Sequence, residues 1–380
     1  MSSGGVSFRI KQHIKMFVQN VYLPSVYKKA VRRTKVNPKR VILADMHSDK
    51  IPYSMREIGK RLKKEGYDVK SFCKDSDKMS LFEITRFMKT FMKEYAAAGY
   101  IYICSYFLPV SSCEKRPETK VIQLWHSGGL LKKMGYDTAD DIPEYYKGNV
   151  TANYDLVTVS ADICIPVWEK ALRLPKGITK ATGLARTDIY FDDEWNLESR
   201  EAFYQLYPEA KGKRVVLYAP SFTGNAADPK CVGIDMVKDV FSGLDENYYL
   251  IIKPHPLLKA KYPEYNDERA RALLTEDILP VTSVLITDYS SVLFDYCLFR
   301  KPFILFTPDI DGYEKTRGLY VDIEEFPAPV AKTGEELKKI LMEKTYFEYS
   351  EQDFEDFYNK YMGACQGHSI DNILNEVKSL

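Results

Sequence analysis

Short apolar runs alternate with helix-patterned stretches along most of this chain. VILAD (41–45), VKSFC (69–73), YIYICSY (100–106), VIQLWH (121–126), DLVTVSA (155–161) and ITKATG (178–183) are short and mostly apolar, and each is predicted as a strand. Three- and four-residue apolar spacing predicts helices over 53–65, 80–97 and around 164–173 between them. The acidic stretch 186–212, with Trp195 and the polar run EAKGK, reads as a crossing between two halves. The alternation then restarts with RVVLYAP (214–220), YYLIIKPHP (248–256), SVLITDYSS (283–291) and PFILFTP (302–308) as strands, a helix over 334–343 and terminal helices over 351–380. Apolar strands separated by helices run parallel and are covered on both faces. The expected fold is therefore α/β of the GT-B type: two Rossmann-like, doubly wound domains facing a cleft. The linear division is an arm over 1–40, an N-terminal domain over 41–200, a C-terminal domain over 201–350, and helices over 351–380 packing back across the domains.

The arm stands apart because its charge is one-sided. No acidic residue precedes Asp45, while Arg9, Lys11, Lys15, Lys28, Lys29, Arg32, Arg33, Lys35, Lys39 and Arg40 are all basic. Ile10, Ile14, Phe17, Val18 and Val21 recur at helical steps, which predicts a basic amphipathic helix. Such a helix suits an anionic membrane surface, where each basic residue contributes about 1 kcal/mol near the headgroups. The competing reading packs the same stripe on the body of the protein.

Composition bounds the rest. A chain of 380 residues suits two domains, and a net charge of +1 makes no case for nucleic acid. The seven cysteines (73, 104, 113, 164, 231, 297, 365) are scattered and never in CxxC spacing, which points to reduced thiols in a cytosolic setting. The chain has no apolar run of membrane-spanning length, and its start, MSSGGVSFRIKQ, lacks the apolar core of a signal peptide.

Candidate chemistry gathers where strands end. QLWHSGGLLKK (123–133) brings His126 to the end of an apolar run, directly before Ser127, Gly128 and Gly129. In α/β sheets that edge is where ligands sit; a His packed at a flexible turn is the alternative. In ITDYSSVLFDY (286–296), Asp288 ends a strand, and Ser290 and Ser291 open a helix, where free amides and hydroxyls suit an anion. Plain N-capping by serine competes with that reading. KPHP (253–256) ends another strand, so that Lys253 and His255 could neutralise a diphosphate, or His255 could sit exposed in a turn. Arg186 follows TGLA, and Arg317 precedes Gly318 in a loop rich in Asp and Tyr. GxGxxG, P-loop and HExxH patterns are absent, and the pairs Asp140–Asp141 and Asp192–Asp193 read as solvated or capping carboxylates. No cofactor and no dedicated metal site are expected; a divalent cation could assist without its own ligands.

In order, WHSGGLLKKMGYD, TGLARTD, VVLYAPSF, KPHP, TDYSSVLFDY and RGLYVD resemble the CDP-glycerol glycerophosphotransferase family of teichoic acid synthesis, over about residues 121–330. In size the chain is similar to the single-module primases of that family. The resemblance implies a CDP-alditol donor in the C-terminal domain. It also implies a lipid-linked acceptor, a lipid-diphosphate saccharide or polyol phosphate, reached by the N-terminal domain from the inner membrane face. It implies that His126 is the general base and that His255 acts on the donor's phosphates. Lys253, Ser290, Ser291, Arg317, Arg186, Asp288, Ser127 and Gly128 would bind substrate. The expected reaction moves an alditol phosphate, glycerol phosphate first, onto an acceptor hydroxyl and releases CMP. A CDP-ribitol-specific transferase, a GT-B glycosyltransferase using a nucleotide sugar, and a non-catalytic binding protein are the rivals. Two departures bear on the alditol. His-Ser-Gly-Gly stands where the family has His-Gly-Thr-Pro, and YAPSF followed by Thr223 stands where it has YAPTWR.

Overall fold

The computed structural model describes residues 10, 12–222, 229–255, 258 and 268–380. Arg9 and Lys11 of the arm, Thr223, and Pro256 of the KPHP stretch lie outside the described residues. The chain forms two compact units: Met1–His126, Ile142–Asp188 and Ala364–Leu380 make the first, and Ser127–Asp141 with Ile189–Gly363 makes the second. Neither is one continuous stretch, as the linear division would have it. Residues 127–141 leave the first sheet to join the second unit, and the last 17 residues return to the first.

The first unit holds a parallel six-stranded sheet of order β2-β1-β3-β4-β5-β6. Its strands are β1 Asn37–Asp45, β2 Asp68–Cys73, β3 Ala98–Ile103, β4 Lys120–Gln123, β5 Leu156–Thr158 and β6 Thr179–Lys180. The helix Tyr53–Lys64 connects β1 to β2 and ends where Gly66 takes a left-handed φ of 82°. The helix Leu81–Tyr95 connects β2 to β3 and starts on a capping box between Ser80 and Glu83. Val41, Leu43, Ile58, Leu62, Tyr102, Ile122 and Leu156 form the core on one face. Ile370, Ile373 and Val377 of the terminal helix Ser369–Lys378 close it. That closure is why the C-terminus belongs to the first unit.

The second unit holds a parallel five-stranded sheet of order β11-β10-β9-β7-β8. Its strands are β7 Arg214–Tyr218, β8 Tyr248–Ile252, β9 Val284–Thr287, β10 Phe303–Phe306 and β11 Val330–Ala331. Val216, Tyr218, Ile286, Ile304 and Phe306 meet the helices Ile234–Ser242 and Gly334–Glu343. The helix Glu351–Met362 stays with this unit: its Phe357 stacks on Phe294 with centroids 5.9 Å apart. Most of 186–212 is not a bare crossing but a 3-10 turn, Ala185–Phe191, followed by the 14-residue helix Asp193–Leu206, which Asp192 caps through its side chain.

Candidate functional site

Each sheet reverses its strand order once, between β1 and β3 in the first unit and between β7 and β9 in the second. Crevices outside the carboxyl ends at such reversals are the usual ligand sites of doubly wound sheets. In the first unit, β4 ends at Gln123, three residues sooner than the apolar pattern implied. Gln123 turns its amide back: Oε1 accepts from the Trp125 amide at 3.0 Å, and Nε2 donates to the Ser105 carbonyl at 3.0 Å. Trp125 then adopts a φ of 54°, a left-handed conformation uncommon for a bulky residue and found most often where function holds it. It is buried, with its ring against Trp168 at 4.9 Å and Tyr106 at 5.1 Å. Ser54, in the first turn of the helix after β1, donates to the Trp125 carbonyl at 3.3 Å.

The kink delivers His126 to the surface as an exposed side chain, stacked on Trp125 with centroids 5.1 Å apart. Its Nδ1 lies 2.8 Å from the Cys104 carbonyl oxygen. A carbonyl only accepts, so Nδ1 carries the proton and, in the neutral ring, Nε2 is the proton acceptor. Arg186 belongs to the same unit, 9% exposed in the turn Ala185–Phe191, and its positive charge acts on the Cys104 thiol.

The remaining candidates lie in the second unit. Lys253 and His255 follow β8. The Lys253 ammonium donates to the Leu273 carbonyl, and the His255 ring packs against Phe222 with centroids 4.8 Å apart. Asp288 follows β9 and accepts twice from the Ser221 amide, at 2.8 and 3.0 Å, across the reversal between β7 and β9. Asp288 therefore pins the loop after β7, a role the sequence did not suggest. Ser290 and Ser291 precede a helix of only six residues, Val292–Cys297. Ser291 makes no side-chain capping bond, and Ser290 Oγ accepts from the Val292 amide at 3.5 Å. The short helix has little dipole to offer, so an anion there would rely on hydroxyls and amides.

Residues 127–141 complete this unit. Ser127 is half-buried and Gly128 buried. Gly129, at φ 62°, packs so closely that a Cβ would lie 2.5 Å from the Phe294 ring. Lys132 bridges to Leu319 as a short antiparallel pair, Lys133 N donates to the Gly318 carbonyl at 2.9 Å, and Arg317 Nε donates to the Lys133 carbonyl at 3.2 Å. This pairing sets Lys132, Arg317 and Asp288 in one electrostatic group. Burial pushes the Lys132 ammonium down to about 8, with Arg317 adding to the effect and Asp288 opposing it. Burial likewise pushes the Asp288 carboxyl up to about 6, against the Ser221 amide and Lys132. Lys132 is not among the candidates from sequence; its signal there is a lysine directly after Leu130 and Leu131. Trp125 was passed over too, because backbone strain leaves no compositional trace.

A family model for CDP-glycerol:poly(glycerophosphate) glycerophosphotransferase matches residues 26–379. The teichoic acid poly(ribitol-phosphate) polymerase of Bacillus spizizenii is 30% identical over 326 residues, 82% of this chain and 52% of that relative, so the chain spans about half its length. The teichoic acid ribitol-phosphate primase of the same organism is 26% identical over 385 residues, 97% of this chain and 98% of the relative. The teichoic acid glycerol-phosphate primase of Bacillus subtilis is 30% identical over 292 residues, 73% and 72% of the two chains. Among solved structures, that of the wall teichoic acid polymerase TagF matches with a TM-score of 0.72 at 19% identity over 97% of each chain, which gives the GT-B fold. The chain belongs to the CDP-glycerol:poly(glycerophosphate) glycerophosphotransferase family.

Proposed function

We propose that this protein transfers an alditol phosphate from a CDP-alditol to a hydroxyl of a lipid-linked acceptor. The observation that carries the reading is the His126 ring, exposed at the sheet edge with Nδ1 held by the Cys104 carbonyl. The acceptor O–H gives its proton to Nε2. The oxygen forms a bond to the phosphorus that bears the alditol, and the phosphorus–oxygen bond to CMP breaks, so that CMP leaves with the bridging oxygen. General base catalysis of this kind supplies about 10²–10⁴-fold. The greater demand is negative charge on the phosphate oxygens, which fixed donors meet. Lys132, Arg317, His255, Lys253 and the Ser290 and Ser291 hydroxyls of the second unit are assigned to it, with Arg186 serving the first. A CDP-alditol donor is supported by the family description and by a TagF structure soaked with CDPG. Glycerol phosphate and ribitol phosphate are both named among the relatives, so the alditol is tested rather than assumed.

The arm supports a peripheral place for the enzyme at an anionic membrane surface. Ile10, Ile14, Phe17 and Val21 are each more than half exposed. The polar Gln19 is instead turned inward and donates to the Asn149 carbonyl at 3.0 Å. An apolar stripe facing outward from a basic helix matches the chemistry of a headgroup boundary. No described helix is long and apolar enough to cross a membrane.

The test is incubation with CDP-glycerol and CDP-ribitol beside a lipid-diphosphate disaccharide, with products identified by mass. CMP and a new phosphodiester are expected; a glycoside with a nucleoside diphosphate would sink the reading. His126→Ala should lower CMP release by about 10²-fold or more while CDP-alditol binding stays within a few-fold.

A further inference from the structure

A second polar group in the first unit has no part in the steps above. Asp45 ends β1, the strand at the order reversal, and is 2% exposed. A carboxylate so buried needs hydrogen bonds and a compensating charge. Ser105 Oγ donates to its Oδ1 at 2.9 Å, and the His47 amide donates to Oδ2 at 2.8 Å. The His47 ring completes the set, with Nδ1 3.5 Å from Asp45 Oδ1 and 3.2 Å from Ser105 Oγ. Those contacts turn Nδ1 inward, while the side chain as a whole is 67% exposed. The hydrogen bond to Asp45 raises the His47 pKa against the opposing effect of burial, with Asp77 and Asp75 adding to the rise. Asp75 and Asp49 share the single charge of Lys78, at 2.9 and 3.0 Å.

Cys104 and Ser105 are the two residues that follow β3, and each holds one imidazole: Ser105 that of His47, Cys104 that of His126. The two rings differ in chemistry. One rests on a carbonyl and keeps an accepting Nε2, whereas the other rests on a buried carboxylate, which favours its protonated, N–H-donating form. β3 lies between β1 and β4, so their strand ends are separated by about 10 Å, two sheet spacings. The two rings follow those strand ends by two and three residues, and a hydroxyl and a phosphate on one short polyol are an acceptor of that scale.

We infer that His47, oriented by Asp45 and Ser105, anchors the phosphate of the acceptor nearest its reacting hydroxyl. The inference rests on the transfer reading above for the word acceptor. It makes the acceptor a phosphate ester, with the first unit reading its phosphate at His47 and its hydroxyl at His126.

The experiment uses the full chain with glycerol 3-phosphate and, separately, inorganic phosphate as probes. Binding is followed by calorimetry and by the His47 ring resonances, beside steady-state kinetics with CDP-glycerol and a lipid-linked acceptor that ends in a glycerol phosphate. His47→Gln should weaken glycerol 3-phosphate binding and raise the acceptor KM by about 10-fold or more, the scale of a charge-assisted hydrogen bond. The CDP-glycerol KM should stay within about twofold, since no donor group is removed. His47→Lys should recover part of the loss. Asp45→Asn should lower the pH above which glycerol 3-phosphate is released. Unchanged probe binding in His47→Gln, or a loss confined to CDP-glycerol, overturns the assignment. So does His47-dependent binding of inorganic phosphate without any change in acceptor KM. If no CDP-alditol yields CMP but glycerol 3-phosphate binding still depends on His47, the anchor stands and the transfer reading falls.

Discussion

At the scale of single residues, the site depends on backbone conformations that side-chain chemistry alone would not favour. Trp125 holds a left-handed φ of 54° so that His126 leaves the sheet edge outward. Gly129 holds φ 62° with the Phe294 ring where a Cβ would be. Gly129→Ala therefore combines backbone strain of roughly 1–3 kcal/mol with overpacking of similar size. Urea unfolding should show the sum as a lowered midpoint. Gly212→Ala is the control: φ is 79° but no atom lies within 4 Å of the added Cβ, so about 1–2 kcal/mol of conformational strain is all that is expected. Equal losses from the two substitutions would show that the Phe294 contact contributes nothing. His126 itself was legible because an imidazole before glycines is a readable motif. Its tautomer was not, because the partner is a backbone carbonyl 22 residues away.

At the scale of elements, the start of the arm inverts the usual order of an amphipathic helix, whereas Leu23, Tyr27 and Ala30 farther along it are buried in the usual way. Gln19 is 1% exposed and is held by Ser111, Asn149 and the Tyr146 hydroxyl, while Phe17 is 60% exposed. Phe17→Asp should leave the urea midpoint unchanged and weaken co-sedimentation with anionic vesicles by about 10-fold or more, given the roughly 1.5–3 kcal/mol carried by a buried aromatic side chain. Gln19→Ala should do the reverse, leaving vesicle binding alone and lowering stability by about 1–3 kcal/mol through the polar groups it strands. Vesicle binding that survives Phe17→Asp would remove the arm from the membrane. Element positions were largely legible: the strand and helix alternation follows the apolar periodicity within a few residues. Strand ends were not, since Leu124 and Trp125 are as apolar as the strand before them and only hydrogen bonding stops β4 at Gln123.

At the scale of the whole molecule, residues 127–141 and 364–380 are exchanged between units, so each unit's folding draws on distant sequence. The charge pair of the second unit makes this visible in pH. Asp288 is raised to about 6, so the folded state holds its proton more tightly than the unfolded state does. Its contribution is fully present below about pH 4, the unfolded value, and is lost as pH rises through 6. Lys132 is lowered to about 8, so its charged form is penalised below that pH, and the penalty lifts as pH rises towards about 10.4. Unfolding free energies of wild type and Asp288→Asn should therefore diverge between about pH 4 and 6, with wild type losing ground as pH rises. A parallel pair of curves over that range would place Asp288 in an ordinary solvated environment. Donor binding should also weaken above about pH 8 as Lys132 loses its proton, and Lys132→Gln should abolish that limb of the affinity profile.

The order of the motifs and the periodicity of apolar residues determined the α/β class, the family and most of the candidate residues. Both are local properties written in neighbouring positions. Which of those residues share a unit was settled by long-range packing. His126 ends in the first, while Ser127 and the lysine five residues after it join the second beside Arg317 and Asp288. The same holds for the Asp45–His47–Ser105 group, which gathers at the ends of β1 and β3, adjacent in the sheet but about 60 positions apart in the chain. A parallel sheet brings together ends of strands that sequence separates by a whole helix, and charge, tautomer and burial are set by those neighbours rather than by the residues alongside.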